Sequence, residues 1–276
     1  MTIRTPIMNV MTGAARKAAR VLRRDFGEVE ALQVSRKGPA DFVSAADQRA
    51  EQILFDELKR ARPHYGFLME ERGQVEGEDR AHRWIVDPLD GTTNFLHGLP
   101  HFAISIGLAR EDDIVAGVVY DPIRDELFMA ERGQGAWVND KRLRVSARTH
   151  LRDALIATGI PFHGCEGHER FQSELARVMG EVAGVRRFGA AALDLAYVAA
   201  GRYDGFWERN LKPWDIAAGV VIVREAGGAV TEISGGSDIL GAGSIVAGSA
   251  GLHDPLRRLL AGEPAAGGGL ERLGHR

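Results

Sequence analysis

The chain of 276 residues has a single cysteine, Cys165. One thiol excludes an intramolecular disulfide and is a poor basis for a structural zinc site. Cys165 lies in the polar stretch 161–168 near His163 and His168, where an incidental loop thiol is expected rather than a nucleophile. No apolar run approaches the roughly 18 residues that a membrane span needs. The first apolar segment, residues 8–19, is broken by Asn9, Gly13, Arg16 and Lys17, so it lacks the core of a secretory leader. The expectation is a soluble, cytoplasmic protein with no membrane partner. An excess of charge of either sign is lacking as well. The 35 Lys and Arg against 38 Asp and Glu leave a net charge of -3, which makes nucleic acid an unlikely partner for the molecule as a whole.

Several catalytic signatures are also missing. There is no serine-centred nucleophile elbow and no EF-hand spacing. His97 and His101 are four apart, like a zinc-binding helix pair, but Gly98 and Pro100 between them speak against a helix. Loop or packing histidines are expected there.

What remains is ordinary globular composition on a chain long enough for a sizeable core. Residues 6–26 read as a helix capped by Thr5 and opened by Pro6, with Ile7, Val10, Met11, Ala14, Ala18, Val21 and Leu22 on its apolar face. Arg16, Lys17, Arg20, Arg23 and Arg24 form a basic stripe, expected to be a solvated helix face. Residues 44–61 read as a second helix, with Ser44 as cap and Asp47 at the third position of a capping box. Residues 102–108, 114–120, 126–130 and 136–138 are short, partly alternating and joined by tight polar turns, which predicts an antiparallel meander. From residue 151 onward strand-like and helical segments alternate. The helices are placed at 169–182, 190–200, 214–226 and 254–261, and the strands at 155–157, 185–188, 205–207, 229–233 and 244–247. The division expected is an N-terminal α+β part over residues 1–150, a C-terminal α/β part over 151–261 and a flexible glycine-rich tail over 262–276. A cleft is expected between the two halves.

The chemistry concentrates in Asp87-Pro88-Leu89-Asp90-Gly91-Thr92, which follows the apolar run Trp84-Ile85-Val86. Its aspartates stand three residues apart, against the spacing of two in haloacid-dehalogenase-type phosphatases. Proline and glycine bend such a stretch sharply, so both carboxylates and the intervening Leu89 carbonyl can face one point. These are hard oxygen donors, suited to Mg²⁺, Mn²⁺ or Ca²⁺. Further acids sit at the edges of predicted elements. Glu70-Glu71 follows the strand-like Tyr65-Gly66-Phe67-Leu68-Met69, and Asp215 opens the apolar helix after Trp214. Asp47 and Asp215 each have a simpler helix-start explanation. Together, carboxylates from four segments make the pattern of a multi-metal site on a rigid scaffold.

Glu70-Glu71, the stretch from Asp87 to Phe95, and Trp214-Asp215-Ile216-Ala217-Ala218-Gly219 resemble the signatures of the inositol monophosphatase family, in the superfamily of lithium-sensitive, magnesium-dependent phosphatases and fructose-1,6-bisphosphatases. Residues 37–47 and 189–196 resemble further family segments, so the likeness runs from about residue 5 to 261. The resemblance implies an α+β fold, a layered αβαβα sandwich, and a homodimer. It implies that Glu70, Asp87, the Leu89 carbonyl and Asp90 ligate catalytic metals, and that Asp215 shares the second metal with Asp87 and Asp90. About two or three Mg²⁺ ions per site are implied. Thr92 would contact a metal-bound water and the phosphate, Asp47 would accept a hydrogen bond from Thr92, and Glu71 would stand one water away. Backbone N–H groups of Gly91 and Thr92 would receive the phosphate. Gly189, Ala190, Ala191 and Glu208 would line the polyol end, with Asp90 and Asp215 also touching substrate.

Two residues depart from the pattern: Met69 stands where glycine is frequent, and Ala190 where Ser or Thr is frequent. The second removes a hydroxyl from the substrate end. The activity implied is hydrolysis of a small phosphorylated polyol by metal-activated water, with myo-inositol 1-phosphate first. Fructose 1,6-bisphosphate, histidinol phosphate and adenosine 3′,5′-bisphosphate are the rivals within the superfamily. A different class of function, partner of RNA or of a transcription complex, rests on the basic stripe alone.

Overall fold

The protein was analysed as a computed structural model that describes residues 5–32 and 39–263. Helix α1 spans Pro6–Leu32. Its start is capped as expected, the Thr5 hydroxyl accepting the Met8 N–H at 3.2 Å. It runs past Phe26 because Gly27 costs a helix only about 1 kcal/mol and no proline follows at once. Helix α2 spans Pro39–Ala61, five residues earlier than the expected start at Ser44. Pro39 is the residue that opens it, since proline suits a first helical position. Ser44 is therefore inside the helix and Asp47 is not a capping residue. Lys37 and Gly38 lie outside the described residues.

The first sheet follows. Its strands are β1 (Tyr65–Met69), β2 (Gly73–Val75), β3 (Asp79–Asp90), β4 (Ala103–Arg110), β5 (Asp113–Asp121), β6 (Glu126–Glu131), β7 (Gly135–Val138) and β8 (Lys141–Arg142), with the short helix α3 (Thr92–Leu96) after β3. The order is β2-β1-β3-β4-β5-β6-β7-β8. Strands β4 to β7 are the expected meander. The pairing of β1 with β3 is parallel, with Met69 opposite Val86. Two parallel strands end on the same side, so Glu70 and Asp87 emerge next to each other.

The second half supplies β9 (Leu155–Thr158), α4 (His168–Met179), β10 (Gly184–Arg186), α5 (Ala191–Ala199), β11 (Gly205–Arg209), α6 (Pro213–Glu225), β12 (Gly228–Thr231), α7 (Ile239–Ala242), β13 (Ser244–Ser249) and α8 (His253–Ala261). Its five strands are ordered β10-β9-β11-β13-β12.

Side-chain alternation explains the layering. On β3, Trp84 and Val86 face a core shared with α1 and α2, while Ile85 faces the opposite core. That opposite core holds α5 and α6 between the two sheets, with Phe206 and Ala247 from the second sheet. Trp207 and Val246 turn to a third core beneath α8, where Leu256 and Leu260 lie. The result is the expected α+β sandwich of five layers, helix–sheet–helix–sheet–helix.

Helix α6 lies very close to the first sheet. Gly107 and Gly117 are cross-strand partners beneath it. A Cβ at Gly107 would stand 2.9 Å from the Ala217 Cβ, and one at Gly117 only 2.6 Å from the Ala218 carbonyl oxygen. Two glycines therefore set the depth at which α6, and Asp215 at its start, meets β4 and β5.

Candidate active site

The end of β3 that carries the motif is a bulge. Asp87 pairs with Ser105 and Asp90 with Ala103, three steps on β3 against two on β4. Pro88, which has no N–H to give, occupies the bulged stretch. Asp87 is almost fully buried and its Oδ1 accepts the Leu89 N–H at 2.8 Å. Gly91 follows with φ 94°, a left-handed turn that leads into α3 at Thr92. Asp90, also buried, accepts the Ala192 N–H at 2.8 Å through Oδ2, and so satisfies the start of α5 from a different layer.

Asp215 stands in the first turn of α6, and its Oδ2 accepts the Lys212 N–H at 2.7 Å. Ser105 on β4 holds the same helix end by donating its hydroxyl to the Trp214 carbonyl at 3.1 Å. Glu70 follows β1, and its carboxyl group is hydrogen-bonded with that of Asp87. The structure thus brings Glu70, Asp87, Asp90 and Asp215 into one cluster, with Asp47 of α2 beside Glu70.

Crowding and burial raise every one of these carboxyls. Burial lifts Asp47 to about 8, assisted by the charges of Glu70, Glu71 and Glu51. Burial likewise lifts Glu70 to about 7, where the hydrogen bond with Asp87 opposes the charges of Asp215, Glu71 and Glu51. Asp215 rises to about 6 for the same reason, held back by the Lys212 N–H. Asp87 and Asp90 are pushed well above the carboxylate range by burial. Glu70 and Asp90 add to the shift of Asp87, and Asp215 to that of Asp90.

Such a set suits divalent cations. Its donors are all oxygen, it holds excess negative charge, and Asp47 Oδ1 is buried without a hydrogen-bond partner among the described residues. Among the described residues, no three His, Cys, Asp or Glu side chains already stand at single-ion spacing. The fit rests on the chemistry of the donors. One expected contact is different: the Thr92 hydroxyl donates to the Leu89 carbonyl at 3.0 Å, not to Asp47.

A cleft of about 770 Å³ opens on this cluster, walled by Asp90, Asp215, Glu208, Gly189, Ala191 and Arg187 among others. Glu208 on β11 is raised to about 8 by burial and by Asp215, against the opposing charge of Arg187. Its carboxylate packs against Gly159, where a Cβ would stand 1.8 Å from Oε1. Ala190 does not line the cleft. Its extended backbone turns the methyl into the core between the sheets.

Three residues that shape the site were not anticipated from sequence. Glu51, buried on α2 one turn after Asp47, accepts the N–H groups of Glu71 and Arg72 at 2.9 and 3.2 Å, and so fixes the turn that carries Glu70. Two acids one helical turn apart on a buried face were the available signal. Asn94 donates to the carbonyls of His101 and Phe188 at 2.8 and 2.7 Å, tying α3 to the segment before Gly189. Asp194 on α5 is buried with neither carboxylate oxygen hydrogen-bonded among the described residues.

Comparison with known proteins gives the chain its relatives. The profile of the inositol monophosphatase family matches residues 4–262. A Mesorhizobium japonicum protein named inositol-1-monophosphatase is 63% identical over 246 residues, 89% of this chain and 92% of its own length. The Escherichia coli protein named Nus factor SuhB is 45% identical over 88% of this chain and 91% of its own. The crystal structure of the extragenic suppressor protein suhB from Bartonella henselae superposes with a TM-score of 0.86 at 61% identity, covering 93% of this chain and 98% of that one. With its profile matched nearly end to end, the chain belongs to the inositol monophosphatase family.

Proposed function

We propose that the protein is a magnesium-dependent phosphomonoesterase of small phosphorylated polyols, with myo-inositol 1-phosphate as its first substrate. The observation that carries this reading is the clustering of Glu70, Asp87, Asp90 and Asp215, of which Asp90 and Asp215 wall a cleft that also holds the acceptor Glu208. Glu70, Asp87, the Leu89 carbonyl, Asp90 and Asp215 would hold about two or three Mg²⁺ ions. When bound, the cations supply the acidity that makes water a nucleophile and neutralises the departing alkoxide. The residues do the rest. Asp90 is fixed by the Ala192 N–H, and Thr92 stands at the turn where the phosphate would lie. Glu208 accepts hydroxyls of the alcohol. The uncatalysed reaction is slow enough to need accelerations up to about 10²¹, so electrostatic stabilisation must dominate.

The test is phosphate release from myo-inositol 1-phosphate, fructose 1,6-bisphosphate, histidinol phosphate and adenosine 3′,5′-bisphosphate with and without Mg²⁺. Turnover led by the inositol ester is expected, and absence of Mg²⁺-dependent turnover of all four refutes the reading. Lithium inhibition and a cytoplasmic location belong to the same reading. So does a homodimer, favoured by Leu99, Ile123 and Phe188, exposed at 53, 37 and 46%. Their segments adjoin, since Arg124 donates to the Pro100 carbonyl at 3.0 Å and the His101 ring lies 5.2 Å from that of Phe188. Sedimentation analysis decides the oligomeric state.

A second reading, a partner of RNA or of a transcription complex, draws on Arg20 and Arg23. Both are exposed on α1 and without a hydrogen bond or ion pair among the described residues. Lys17 is already paired with Glu57, and Arg24 with Asp25. Charge reversal at Arg20 and Arg23 would abolish such binding; unchanged binding dismisses the stripe.

A further inference from the structure

We infer that Arg187 is a specificity-determining residue: from the wall it shares with Glu208 it donates to hydroxyls of the leaving alcohol, while Glu208 accepts from them, so that the cleft selects vicinal diols. The inference deepens the phosphatase reading and rests on it. Arg187 lines the same cleft as Asp90, Asp215 and Glu208. Its guanidinium packs over Gly189, where a Cβ would stand 2.8 Å from Nη1, so the glycine leaves the room that the guanidinium fills. Gly189 also has φ +81°, a conformation other residues rarely adopt.

Arg187 makes no hydrogen bond or ion pair among the described residues, whereas Arg209 in the same wall is bound to Glu174 at 2.7 Å. Its charge reaches Glu208 and Asp194 and opposes the upward shift of both carboxyls. Donor and acceptor are thus close enough to influence each other, yet more than the 4.0 Å of an ion pair separates them. A diol placed between them satisfies both, one hydroxyl oxygen taking the guanidinium N–H and one hydroxyl giving its hydrogen to a carboxyl oxygen of Glu208. Glu208 is held against Gly159, so the acceptor is pre-positioned. Residue 190 offers no hydroxyl, its methyl being turned into the core, and Arg187 is a guanidinium donor on the cleft wall next to Gly189.

The experiment compares kcat/KM for myo-inositol 1-phosphate with that for phenyl phosphate, whose leaving group has no vicinal diol, in the parent, Arg187→Ala and Arg187→Lys. The ratio of the two constants is expected to fall about tenfold in Arg187→Ala, through a raised KM for the inositol ester, and to recover in part in Arg187→Lys. An unchanged ratio overturns the assignment, whether both constants fall together or neither falls. A parallel titration of myo-inositol by NMR keeps the test independent of turnover. If the parent hydrolyses neither ester, the phosphatase reading fails and the titration alone decides: about tenfold weaker binding by Arg187→Ala sustains the role of Arg187, and equal binding overturns it.

Discussion

A carboxylate oxygen of Asp90, at the end of β3, accepts the backbone N–H of Ala192, in the first turn of α5, at 2.8 Å. Helix α5 has no side-chain cap of its own, because Ala190 precedes it. One residue therefore serves the acidic cluster and closes a helix of the neighbouring layer. Asn at this position keeps an oxygen for Ala192 but removes the charge. Asp90→Asn is expected to lose roughly 100-fold or more in kcat while its metal-free melting temperature stays level or rises. Asp90→Ala should lose the same activity and, by uncapping α5, about 0.5–2 kcal/mol of stability. Kinetics and thermal melts of the two variants separate the roles; near-normal kcat in Asp90→Asn removes Asp90 from the machinery.

Much of this site is legible in the chain. Glu70, Asp87, Asp90 and Asp215 each follow or open an apolar run, so their placement at element ends can be read from the pattern. What brings Glu70 to Asp87 is the parallel pairing of β1 with β3. Such long-range pairing leaves no local trace in the chain. The capping role that the sequence suggests for Asp47 fails because Ser44 mimics a cap while Pro39 begins the helix. Glu51, Asn94 and Asp194 are ordinary polar residues in sequence. Only tertiary burial distinguishes them from solvated ones.

The raised carboxyls make a pH prediction with a fixed sign. In the folded, metal-free protein Asp47 titrates at about 8, Glu70 at about 7 and Asp215 at about 6, all above their unfolded values. The folded state then binds more protons than the unfolded one, so stability falls as pH rises. The melting temperature without metal is expected to decline from pH 5 to pH 8.5. Millimolar Mg²⁺ should raise it, and more at pH 8.5 than at pH 5, because the cation binds the ionised carboxylates. Differential scanning calorimetry at both pH values, with chelator or with Mg²⁺, makes the comparison. Equal melting temperatures with and without Mg²⁺ at pH 8.5 would contradict a carboxylate metal site.

Gly107 and Gly117 test whether the depth of α6 matters for the site. The Ala217 Cβ and the Ala218 carbonyl stand only 2.9 and 2.6 Å from where new methyl groups would go. Gly117→Ala should be the worse of the two, since it meets rigid backbone rather than a side-chain methyl. Each should destabilise by about 1–3 kcal/mol, measured by urea unfolding. Activity below the melting transition should fall as well, because lifting α6 carries Asp215 away from Asp90. Full activity in a folded Gly117→Ala variant would show that Asp215 tolerates displacement of its helix.

Asp194 provides the last prediction. It is 1% exposed on α5, with neither carboxylate oxygen hydrogen-bonded among the described residues. Burial, then the charges of Glu208 and Asp90, hold its carboxyl well above the usual range, against Arg187. A carboxyl with a raised folded pKa stabilises fully below its unfolded value of 3.8 and loses that contribution as pH rises. Asparagine has nearly the same shape and does not titrate. Asp194→Asn should therefore gain in melting temperature, relative to the parent, by roughly 2–4 °C more at pH 8.5 than at pH 5, equivalent to about 1 kcal/mol. A constant offset at the two pH values would mean that Asp194 is not titrating there. A loss of stability that grows with pH would mean that its charge is paired in the folded protein, with Arg187, whose charge already opposes the shift, supplying the partner.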